Sequence, residues 1–104
     1  MKFFHFRQNN SFGSFGLFKG PAKHVVVEAE NASDANDRAE NFGLYFDGCR
    51  NGLDCPCCGD RWSRQWSDEL GDDVPMVYGS PVLFNGENHV LVVYANGEQK
   101  FGGL

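Results

Sequence analysis

The sequence predicts a small α+β domain: one main helix packed on a mostly antiparallel sheet, with a cysteine-rich metal knuckle attached. Three observations predict it. The β-branched run Val25, Val26 and Val27 is followed at once by a capped segment of helical period over residues 32–42. Asn96-Gly97 divides two strand-like runs near the C-terminus, a strong short-range hairpin signal. Residues 49–66, CRNGLDCPCCGDRWSRQW, hold all four cysteines, both tryptophans and three arginines. At 104 residues the chain has room for one domain with an adequate but thin core, to which a metal staple would add usefully.

Taken in order, residues 3–6 open a run of strand formers, and residues 15–19 follow the turn residues Asn9, Asn10, Ser11 and Gly13, which reads as an antiparallel hairpin. Six of the ten phenylalanines fall before residue 19, so this hairpin is either an aromatic sheet face packed on the helix, the favoured reading, or a surface for a partner. Residues 23–30 read as a central strand. Asn31 is placed to cap a helix, with Asp34 facing the exposed amides of its first turn. Ala32, Ala35, Ala39 and Phe42 lie along one stripe of that helix, and Gly43 ends it.

Residues 44–46 then read as a short strand, which makes strand, helix, strand a βαβ-type unit or part of an α+β sandwich. Residues 67–73 are acidic and turn-rich and read as an exposed loop. Residues 76–78, 82–84, 90–94 and 98–101 complete the expectation as a closing β-meander.

Cys55-Pro56-Cys57-Cys58-Gly59 contains C-P-x-C-G, the form of a zinc knuckle: a proline-stiffened turn aims two thiolates at one ion and a glycine permits the turn after them. A structural zinc needs four ligands. Cys55 and Cys58 are therefore the first pair, and Cys49 and Cys57 complete the preferred set; His5, His24 and His89 are the outside alternatives for the fourth position. A redox pair is less favoured, because Gly59-Asp60 is poor material for the helix start that lowers a thiol pKa. The spacing matches neither common ferredoxin pattern, and no base stands near the cysteines in sequence.

Arg61, Trp62, Arg64 and Trp66 follow the knuckle. Either Trp62 covers the metal turn, or these residues form a contact patch of the types enriched in binding hot spots. A formal charge of −5, with Asp68, Glu69, Asp72 and Asp73 directly after the arginines, disfavours a phosphate-binding surface. No apolar run approaches the roughly 20 residues of a membrane span, and His5 and Arg7 interrupt the apolar start, so a soluble intracellular protein with reduced thiols is expected.

The motif D-G-C-x5-C-x-C-C-G-D-R-W, preceded by a short helix and G-L-Y-F, resembles that of small uncharacterised proteins of tailed bacteriophages, over residues 25–66. The resemblance implies a viral accessory protein acting in the cytoplasm of an infected bacterium, and it assigns no catalytic residue. Together with the absence of a catalytic signature, it leads to the expectation of a non-enzymatic protein that binds a host protein and is stapled by structural Zn2+. A knuckle that binds nucleic acid, with arginines on phosphates and Trp62 or Trp66 stacked on bases, is the alternative.

Overall fold

The computed structural model describes residues 1–7, 24–44, 46–47, 49–50, 52, 62–87 and 89–103, and these described residues form one helix and a mostly antiparallel sheet, an α+β arrangement. Strand β1 (Lys2–Arg7) pairs antiparallel with β2 (His24–Ala29), setting Phe4 opposite Val27 and His5 opposite Val26. The expected hairpin partner, residues 15–19, lies outside the described residues. After β2 comes helix α1 (Ala32–Phe42), and β2 then pairs in parallel with β5 (Val90–Val93), itself antiparallel to β6 (Gln99–Gly102). The sheet order is β1-β2-β5-β6.

Val25, Val26 and Val27 form an unbroken apolar run because both faces of their strand are covered. Val25 and Val27 face the helix, with Phe4, Phe6, Leu91 and the alanines Ala32, Ala35 and Ala39. Val26 faces the other way, with Phe3, Val77, Val82, Val90 and Val92. Each valine or leucine buried in this way stabilises the fold by about 1.5–3 kcal/mol relative to leaving it exposed.

The helix begins as its sequence indicates. The Asn31 side chain accepts from the Asp34 amide at 2.8 Å, and the Asp34 carboxylate accepts from the Glu30 amide at 3.0 Å. The Glu30 amide, and then Arg38, whose Nε donates to Asp34 at 2.9 Å, hold the Asp34 carboxyl below its usual range. At the other end the Gly43 and Leu44 amides both donate to the Ala39 carbonyl.

The strand expected at 44–46 is not formed by its described residues. Leu44 and Phe46 are buried, but Phe46 lies in a bend and Asp47 follows at φ 56, outside the extended region a strand needs. The strand that completes the parallel pair is β5, far along the chain. Nor do the last strands form one meander. Met76–Val77 (β3) and Ser80–Pro81 (β4) make a separate two-stranded ladder that covers the face opposite the helix, and of residues 82–84 only Leu83 takes a bridge, to Gly103. The acidic residues 67–73 are largely exposed as expected, yet one point of them is tied down. Phe3 and Asp72 exchange both backbone hydrogen bonds at 2.8 and 2.9 Å. Gly71, at φ 70, allows this approach, since a Cβ there would stand 2.7 Å from the Lys2 Cβ.

Candidate functional site

Residues 62–66 carry most of what can be described of the predicted contact patch. Their first residue, Trp62, is 1% exposed and packs in the helix-side core with Leu44, Phe46 and Phe6. Gln65 is clamped from the helix: its amide donates to Asn36 Oδ1 at 2.8 Å, and Asn36 Nδ2 donates to its carbonyl at 3.1 Å. Gln65 Nε2 also donates to the His5 carbonyl at 2.6 Å, which ties the segment to β1. With both sides of Gln65 held, Trp66 is directed outward and is 77% exposed.

Arg64 is half-exposed on the same segment. Its NH1 donates to Asp47 Oδ2 at 2.6 Å, and the guanidinium lies over the Phe46 ring, 5.1 Å from its centroid. Ser63–Trp66 thus form a ridge between two clefts. One, of 560 Å3, is bounded by His5, Arg7, Gln65, Trp66 and Tyr78; the other, of 460 Å3, by Phe46, Asp47, Trp62 and Trp66.

Residues 62–66 do not form a strand, and the two rings part: Trp62 goes to the core and Trp66 to the surface. Trp62 is therefore a packing residue, out of reach of a partner. Arg61 lies outside the described residues.

Of the cysteines, Cys49 is half-buried in a turn whose Gly52 amide donates to its carbonyl at 3.4 Å, while Cys55, Cys57 and Cys58 lie outside the described residues. Among the described residues no three His, Cys, Asp or Glu side chains gather in a way that could hold a metal ion.

The fold does bring two of the histidines together. His5 Nε2 and His24 Nδ1 are 2.8 Å apart and share a hydrogen bond across β1 and β2, and the Tyr78 ring stands edge-on to both, at 5.1 and 6.0 Å. Burial pushes the His5 pKa down to about 4, with the neighbouring His24 and Arg7 charges adding to the effect. The third histidine turns elsewhere: its carbonyl accepts from the His24 amide at 3.4 Å, but the His89 ring pairs with Glu87.

Sequence reasoning missed the Asn36 clamp, the histidine pair and the place of Arg7 in the larger cleft. Asn36 could have been suspected, as a polar residue beside the alanine stripe; the other two depend on β1 pairing with β2 across an intervening stretch of chain.

Among the described residues no helix is long and apolar enough to cross a membrane. No curated protein and no solved structure matches the chain. Domain of unknown function DUF7296 matches residues 1–104, the whole length given, and the chain belongs to that family.

Proposed function

We propose that this chain is a non-enzymatic accessory protein of a tailed bacteriophage, acting in the host cytoplasm by binding a host defence or transcription protein and modulating or inhibiting it. The observation that carries the reading is Trp66, a large ring held 77% exposed on a ridge that the Asn36 clamp keeps in place. An ordered, exposed tryptophan beside an arginine has the composition of a binding hot spot, where a few such residues supply most of the affinity. Asp68, Glu69, Asp72 and Asp73 follow it at exposed positions and suit a partner with a basic rim.

A structural zinc ion on Cys49, Cys55, Cys57 and Cys58 belongs to the same proposal, and it rests on the spacing of those thiols. The alternative, a nucleic-acid-binding knuckle, is disfavoured by the net charge of −5 and by the ion pair that already engages Arg64.

A photocrosslinking amino acid at position 66 tests the reading. In infected or expressing cells it is expected to give one predominant crosslinked host protein, and the same probe at exposed Asp37, on the far side of the helix from its buried stripe, is expected not to. Crosslinks to nucleic acid alone would overturn it.

A further inference from the structure

The 560 Å3 cleft on the β1 side of the ridge has three features that a protein contact at Trp66 does not require. Its size lies in the range of about 300–1,000 Å3 typical of small-molecule sites. It is flanked by exposed rings from two different elements, Trp66 from the clamped segment and Tyr78 from the β3–β4 turn. Its third feature is Arg7, which projects from β1 on the same face as His5 and has no hydrogen-bond or ion-pair partner among the described residues.

The Tyr78 backbone is unusual. Tyr78 at φ 52 and Gly79 at φ 79 form the two-residue loop between β3 and β4. Such a loop favours Asn, Asp or Gly at its first position, because a bulky side chain is strained at positive φ. Here the strained residue places an aromatic ring beside the cleft, edge-on to His5 and His24. Strain of this kind persists where surrounding structure holds it and clusters at ligand sites.

We infer that this cleft binds a small anion of the mononucleotide class, with the planar base against the Trp66 and Tyr78 rings and the phosphate on the Arg7 guanidinium. Flat rings accept any base by stacking, and a guanidinium recognises phosphate in a bidentate manner. Glu69 lines the same cleft, so one phosphate is favoured over a chain of three, whose extra charge it would repel. The inference shares the Trp66 ring with the proposed protein contact but adds Arg7 and Tyr78, which that contact does not use, and places the ligand beside the ridge.

Isothermal titration of the full chain with nucleoside monophosphates, the matching nucleosides and triphosphates, and inorganic phosphate tests it. Saturable binding of at least one monophosphate is expected, about tenfold or more tighter than its nucleoside, its triphosphate or inorganic phosphate. Arg7→Gln and Tyr78→Gly are each expected to weaken that binding about tenfold, with the thermal melting point unchanged for the first and no lower for the second, because glycine suits the turn. Absence of saturable binding by every monophosphate to the folded wild type, or undiminished binding in folded Arg7→Gln and Tyr78→Gly, would overturn the inference. Neither result bears on crosslinking at position 66.

Discussion

Trp62 and Trp66 differ by a single helical turn's worth of sequence, and their environments assign them opposite parts. Truncating Trp62, which packs among Phe6, Leu44 and Phe46, leaves a large cavity and is expected to cost about 3–5 kcal/mol. Trp66→Ala, at an exposed position, is expected to stay within about 0.5 kcal/mol of wild type. Urea midpoints of the two variants check both. His5 gives a pH dependence whose sign follows from burial. Its ring is neutral in the folded protein down to about pH 4, whereas the unfolded chain takes up the proton near 6.5. The unfolded state therefore binds more protons between these values, so the contribution is fully present above pH 6.5 and lost progressively toward pH 4. His5→Gln is expected to flatten that part of the stability profile, read by denaturant titration at several pH values.

At the scale of elements, what was legible in the sequence was local. Asn31, Asp34 and Gly43 mark the helix because each acts on backbone groups within one turn of itself, and they do so here. Asn96-Gly97 marks the β5–β6 hairpin for the same reason, with the Gly97 amide donating to the Tyr94 carbonyl. The parallel pairing of β2 with β5 was not legible, since no short pattern states which distant run a strand will meet, and the nearer run 44–46 reads equally as the end of a βαβ-type unit or as part of an α+β sandwich. The different exposures of Trp62 and Trp66 were not legible either, because period-two alternation fixes faces only inside a strand, and here the segment is held by the Asn36 clamp on Gln65 and not by a ladder. Asn36→Ala removes both clamp bonds and leaves the Gln65 amide and carbonyl without them, an expected cost of about 1–3 kcal/mol. Faster hydrogen exchange at Gln65, with exchange at the central strand residues Val25–Val27 changed much less, is the outcome that checks it.

For the whole molecule, two packed faces on one sheet give a core that a 104-residue chain can support, and the cysteine segment is the natural place for a further staple. Native mass spectrometry is expected to show one zinc ion that a chelator removes, and Cys55→Ser or Cys58→Ser is expected to lower the melting point sharply; a bare-chain mass under non-denaturing conditions counts against the ion. The acidic charge, the exposed Trp66 and the ion-paired Arg64 together favour a protein partner over a phosphate backbone. Nuclease-treated affinity purification from infected or expressing cells, run in parallel for wild type and the stable variant Trp66→Ala, tests partner binding most directly. One stoichiometric host protein, retained after nuclease and lost with Trp66→Ala, is the predicted result; recovery of nucleic acid that falls steeply with salt, with no protein partner, would contradict it.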